Sequence, residues 1–244
     1  MLVAWDKRQS FTRQSFCEHV YDLARKATRT YIVDSNSNRR YASHWWLNGE
    51  VRVFWEPGIP RHTVDLIVNA IDQRARETVG LEFDFKLYGN DASSAGQVST
   101  ALRSGQLDPD RLFDLAALEP WRDQACGGQQ HADIYITDKQ FAGDPVSWAA
   151  ASFRYGAMMF CLHGQRHLGS SFLRKVALHE TNHLLGMYCH CDDYQNVADL
   201  PYSPRCNMHY SCAYEDLCPK CRTHIEWWWK GVQDEAKDAG VLGA

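Results

Sequence analysis

The sequence predicts an α/β fold of the α+β kind. A mixed, twisted sheet with helices leads into one long helix, and a small cysteine-rich C-terminal lobe follows. Three observations carry this. Segments of period 2 and period 3.6 alternate in the order β-α-β, then further strands, then a helix. The run Gly156 to Leu162 is apolar enough for a central strand. Six of the nine cysteines lie between Cys189 and Cys221, in a stretch rich in loop formers.

The elements follow in order. Phe16, Val20, Leu23, Ala24 and Ala27 recur at helical spacing over residues 12–27, predicting an N-terminal helix; a polar connector, Ser35 to Arg40, comes next. Val51, Val53 and Trp55 alternate with Arg52 and Phe54, a short strand stopped by Pro57-Gly58. Val64, Ile67, Val68, Ile71 and Ala75 make an amphipathic helix ended by Gly80. Leu81, Phe83, Phe85 and Leu87 alternate with polar residues and Tyr88, a half-buried strand. A polar loop from Gly89 to Gln106 leads to a short helix after Pro109. Ala132 to Thr137, Trp148 to Phe153 and Gly156 to Leu162 read as strands. A helix capped by Ser170 or Ser171 runs to Leu185, where Gly186 is the natural left-handed stop. The last helix carries Ile225, Trp228, Trp229 and Val232.

Composition excludes several classes. With 244 residues the chain can bury a real core, and 45% hydrophobic with 23% charged residues is not the composition of a disordered chain. The net charge of −4 shows no basic excess, so nucleic acid is not the expected partner. No apolar run approaches the ~18 residues that span a bilayer, and the N-terminal stretch is charged where a secretory core would be apolar. The expectation is a cytoplasmic monomer with no membrane contact. An odd cysteine count without an export signal argues against a disulfide framework. Paired thiols in a reducing compartment more often hold a metal, three bridges in a secreted protein being the alternative.

The long helix contains His179-Glu180-Thr181-Asn182-His183. Histidines at i and i+4 share one face, so both imidazoles can reach a single Zn²⁺ at ~2.0–2.1 Å. Glu180, beside the first, can reach a metal-bound water rather than the metal. The metal lowers the pKa of that water, the carboxylate takes its proton, and the hydroxide attacks a polarised carbonyl. Val176, Leu178, Leu184 and Leu185 are apolar, so the helix is largely buried, and buried His and Glu need partners. This favours a metal over two solvated surface histidines. Gly186 completes H-E-x-x-H-x-x-G, after which a third ligand is expected three positions on. Cys189 holds that position and His190 the next. A thiolate there would add negative charge and weaken the zinc as a Lewis acid, whereas His190 keeps a neutral three-histidine set. Charge chemistry therefore favours His190 and pattern position favours Cys189.

These motifs resemble the archaemetzincins, in which the metzincin helix is followed by His-Cys, then Cys-x-Met, then Cys-x-x-Cys. Here the matching steps are His190-Cys191, then Cys206-Asn207-Met208, then Cys218-Pro219-Lys220-Cys221, with different spacers. The likeness covers residues 171–221 by motif and residues 51–162 by element order. It implies a zincin-type fold with a metzincin-like mixed sheet, a peptidase activity, and Met208 as the apolar floor beneath the catalytic zinc. It also implies a second, structural zinc on Cys191, Cys206, Cys218 and Cys221. Four thiols that include a Cys-x-x-Cys make a reasonable closed site in their own right, with Cys189 and Cys212 as alternates or as small buried hydrophobes. Tyr210, two residues after Met208, resembles the tyrosine of astacins and serralysins that contacts the zinc or the oxyanion. A phenol so placed can stabilise a tetrahedral intermediate; the alternative is an ordinary half-buried tyrosine.

The resulting division is an N-terminal helical extension over 1–50 and an upper lobe over 51–186 ending in the active-site helix. A C-terminal lobe over 187–244 holds the Met-turn, the structural zinc and the final helix. Ala149 to Phe153 would form the edge strand of the cleft, which a peptide extends by β-addition. The function implied is zinc-dependent hydrolysis of a peptide or protein substrate, with His179, His183 and His190 as metal ligands and Glu180 and Tyr210 as catalytic groups. The alternative is a zinc-stabilised interaction module without turnover. Glu180 argues against it, because a structural site has no use for that carboxylate. His163 and His167 read as solvated loop residues. Of Trp227, Trp228 and Trp229, two are expected in the core.

Overall fold

The computed structural model describes residues 10–29, 32–33, 39–40, 45–47, 49–90, 98–118, 131–142, 148–164, 169–193 and 196–240. Cys126, His167 and residues 35–38 of the polar connector lie outside the described residues. The elements in chain order are α1 (Arg13–Thr28), β1 (Ile32–Val33), β2 (Arg39–Arg40), β3 (Glu50–Trp55), α2 (Arg61–Val79) and β4 (Asp84–Gly89). Then come β5 (Leu102–Arg103), β6 (Gln106–Leu107), α3 (Pro109–Leu118), β7 (Ala132–Thr137), β8 (Ala149–Ser152) and β9 (Ala157–Cys161). Helices α4 (Ser170–Leu184) and α5 (Pro219–Asp238) complete the set.

Five strands form the main sheet in the order β4-β3-β7-β9-β8. All neighbours are parallel except β8, which runs antiparallel to β9 at one edge. Every residue of β7 and of β9 is buried, as expected for strands covered on both faces. One face presents Val53, Ile134, Ile136 and Phe160 to apolar residues of α2 and α4. The other presents Phe54, Tyr135 and Met159 to Leu107, Leu112 and Phe113. This is the mixed α/β architecture with a cysteine-rich C-terminal region that the sequence implied.

Local differences have physical causes. The strand expected from Leu81 begins at Asp84, and Leu87 and Tyr88 are exposed because β4 is the other edge of the sheet. The loop expected from Gly89 to Gln106 contains the β5–β6 hairpin, whose turn carries positive φ at Ser104 and Gly105. Helix α4 is capped by Gly169, with no side-chain cap from Ser170 or Ser171; Ser170 is already helical. Gly80 ends α2 in the left-handed conformation as read.

Helix α1 packs along α5. Arg25 and Arg29 pair with Glu235 at 2.8 and 2.6 Å, and Gly231 lets the two backbones approach at Tyr21. Trp228 and Trp229 on α5 are buried and Trp227 partly so. No helix among the described residues is long and apolar enough to cross a membrane.

Candidate metal centre

Helix α4 rises from the sheet with its second half buried, and it delivers His179 and His183 one turn apart. The chain then turns at Gly186 (φ +105°) and doubles back, so that His190 faces the same point. The Nε2 atom of His179 lies 3.2 Å from that of His183 and 3.2 Å from that of His190. The sequence left Cys189 and His190 as rivals for this corner. The imidazole of His190 is the group that converges with the helix pair, and Cys189 is buried outside the cluster.

The opposite nitrogens fix the tautomers. His179 Nδ1 donates to the Asn207 carbonyl at 2.6 Å, and His183 Nδ1 donates to the Met187 carbonyl. A carbonyl can only accept, so both Nε2 atoms carry bare lone pairs. Lone pairs this close repel unless a cation lies between them. A tetrahedral ion with bonds of ~2.0–2.1 Å separates its ligand nitrogens by about 3.3 Å, which fits the spacing. Burial lowers the proton affinity of all three rings, and a neighbouring histidine lowers each further. His179 falls to about 3, and His183 and His190 to about 4. Neutral imidazoles with free Nε2 are what a metal needs.

A second cluster sits behind the first. Cys191, Cys206, Cys218 and Cys221 are all buried, and their sulfurs lie within 4.8 Å of one another. Cys191 Sγ is 3.6 Å from Cys218 Sγ. Four thiolates on zinc at ~2.3 Å stand about 3.8 Å apart, so this set also fits a tetrahedral ion. Contacts from Cys191, Cys206 and Cys221 hold the Cys218 thiol far below its ordinary range. The side chain of Lys220, fully buried, donates its Nζ to the Cys191 carbonyl at 2.9 Å. Cys212 does not join it.

Glu180 is 7% exposed and lines the same cleft as the three histidines. Burial raises its carboxyl to about 8. The cleft, of about 780 Å³, is walled on one side by Ala149–Ser152 of the edge strand and floored partly by Trp228. A smaller cavity of about 300 Å³ near the start of α2 shares Trp148, Phe172 and Val176 with it but none of the histidines. Tyr210 is 59% exposed on the cleft wall; its ring stacks on His190 with centroids 3.8 Å apart. Its hydroxyl donates to Asp193 Oδ1 at 3.2 Å, and Oδ2 of the same carboxylate accepts the His190 backbone N–H at 2.8 Å. Met208 is fully buried, and its carbonyl accepts from Cys191 N–H at 2.7 Å. His163 is exposed and contacts the Asp138 carbonyl, apart from the cluster.

Asn207, Asn182, Asp193 and Lys220 escaped the sequence reading. The available signal was placement. Asn182 lies inside a buried helix, where asparagine is a poor choice, and Asn207 lies between Cys206 and Met208.

No family model matches the chain, and no curated protein matches it. Solved structures do. The archaemetzincin of Methanopyrus kandleri superposes with a TM-score of 0.51 at 16% identity, over 77% of this chain and 97% of that one. The archaemetzincin of Archaeoglobus fulgidus, solved as a malonate complex, gives 0.46 at 15% identity over 71% and 99%. The fold is archaemetzincin-like.

Proposed function

We propose, on the premise of this archaemetzincin-like fold, that the chain is a zinc-dependent peptidase. Three imidazole nitrogens and a buried carboxylate face one cleft beside a strand edge, and that convergence carries the proposal. His179, His183 and His190 would hold the catalytic zinc, and Cys191, Cys206, Cys218 and Cys221 a structural one. Bound there, the catalytic zinc would supply Lewis acidity to the scissile carbonyl and to an attacking water.

The chain's own groups do the rest. The outer edge of β8 offers backbone donors and acceptors, so a substrate peptide adds to the sheet as an extra strand across the cleft. Glu180 takes the proton of the attacking water and passes it to the leaving amide nitrogen. Burial makes its carboxylate a stronger base than an exposed one. Tyr210 turns its hydroxyl from Asp193 towards the developing oxyanion, and its exposure leaves room for the turn.

Elemental analysis of the purified protein should find two zinc equivalents. Glu180→Ala should keep both and cut a mixed peptide library at least ~10²-fold more slowly, the usual scale for a general base. Cleavage at the parental rate in that variant would sink the mechanism. Two zincs in a parental protein that cleaves no peptide would favour the interaction module instead.

A further inference from the structure

The two metal clusters share a short piece of backbone, Cys206-Asn207-Met208. Asn207 is fully buried and every polar group in it is engaged. Its carbonyl accepts His179 Nδ1–H at 2.6 Å. Its side-chain nitrogen donates to Lys175 O at 3.0 Å, one turn before His179 on α4, and to Tyr214 O at 2.7 Å. Its side-chain oxygen accepts from Asn182 Nδ2 at 2.9 Å, and Asn182 lies between the two helical histidines. Its own N–H donates to Asp216 O at 2.7 Å. One residue thus fastens the active-site helix to the loop that carries Cys206.

The other half of the triad is tied to the same cluster. His190 directly precedes Cys191, and Cys191 N–H donates to the carbonyl of Met208, the neighbour of Asn207. Two of the three histidines are therefore tied to the cysteine cluster, His179 through Asn207, the neighbour of Cys206, and His190 through its own neighbour Cys191. A cation on the four sulfurs would fix Cys191 and Cys206 relative to each other, and with them the Asn207 carbonyl and the His190 backbone.

We propose that Asn207 is a positioning residue that links the two clusters, so that metal held by the four cysteines tightens metal binding by the three histidines. By linkage, the effect is reciprocal. The proposal rests on the metal-binding half of the function proposed above and not on peptide hydrolysis.

The test titrates the whole chain described above, freed of metal, with Co²⁺ alone. Thiolate charge-transfer absorption reports the cysteine cluster. The ligand-field bands that rise without it report the triad, and competition with a chelator gives each affinity. A parental protein that takes up no second, sulfur-free cobalt would refute the metal reading itself. Given that step, Asn207→Ala should leave the thiolate absorption unchanged and weaken cobalt binding at the triad ~10–100-fold, the range for outer-shell partners of metal ligands. Cys218→Ser, with its cluster broken, should weaken the triad by a similar factor. Triad affinity equal to the parent's in either variant overturns the link. Should either fail to fold, Asn182→Ala decides. It cuts one hydrogen bond and places a good helix former in α4. A several-fold loss at the triad, matched by weaker cobalt binding at the cysteines once the triad is loaded, supports the proposal, and no loss overturns it.

Discussion

The indole of Trp228 fills the space that any side chain at position 186 would need. Gly186 also carries φ +105°, where L-residues are strained. The turn that brings His190 back to the helix thus depends on two independent reasons for glycine, one conformational and one steric. The same indole floors part of the cleft, so a change at 186 reaches the site through α5 as well as through the chain.

Gly186→Ala should therefore destabilise the protein by about 2–4 kcal/mol, adding positive-φ strain to overpacking. Denaturant midpoints measure this. Trp228→Leu placed in the same chain relieves the overlap but not the backbone strain, so the pair should fall short of additive. Full additivity would mean the indole is not the obstacle.

Much of this was legible in the sequence because the signals are local. The period of Val64, Ile67 and Ile71 located α2, and the i, i+4 histidines pointed to the candidate site where three imidazoles converge. The rest depends on tertiary partners. Nothing in the sequence says that β4 is an edge, so the alternation overstates the burial of Leu87, while Phe85 is half-buried as read. The cap of α4 was misread because two serines carry the expected chemistry while the turn starts one residue earlier, at Gly169. Asn207 meets His179 and Lys175 on α4, and Asp193 meets the Tyr210 hydroxyl, across sequence separations that no spacing rule encodes.

The third corner of the triad can be tested directly. His190→Ala should lose triad metal and peptide cleavage, since its imidazole is the group that meets His179 at 3.2 Å. Cys189→Ala should retain both, apart from the small stability cost of a buried thiol. Metal analysis of the two variants separates the outcomes. Loss of the triad metal from the Cys189 variant alone would show that pattern position outranks side-chain chemistry.

Tyr210→Phe separates two roles for one ring. Stacking on His190 survives the change, while the hydroxyl's bond to Asp193 is lost. If the hydroxyl meets the oxyanion, kcat for a reporter peptide should fall ~10-fold with KM little changed, as for one donor in a partly open site. An unchanged kcat returns Tyr210 to a supporting role on His190. Triad metal affinity should hold in either case, because the ring remains in place.

The last prediction concerns acid. His224 on α5 is fully buried, stacked on Trp228 and edge-on to Phe16, and burial lowers its pKa from 6.5 to about 3. The unfolded chain therefore binds a proton that the folded one refuses throughout that interval. Stability from this group is complete above pH 6.5 and is lost as pH falls towards 3, at about 1.4 kcal/mol per pH unit. Glu235 adds a later phase with the same sign. Arg29 first, and then Arg25, hold its carboxylate below the usual range, so its contribution is present above 4.5 and lost at lower pH. His224→Phe keeps an aromatic ring in the cage and removes the titration. Urea unfolding at pH 7 and pH 5, with the metals removed so that their release does not contribute, should show the parent losing about 2 kcal/mol from this group. The variant should lose correspondingly less. An equal loss in both would mean that His224 takes up its proton without unfolding.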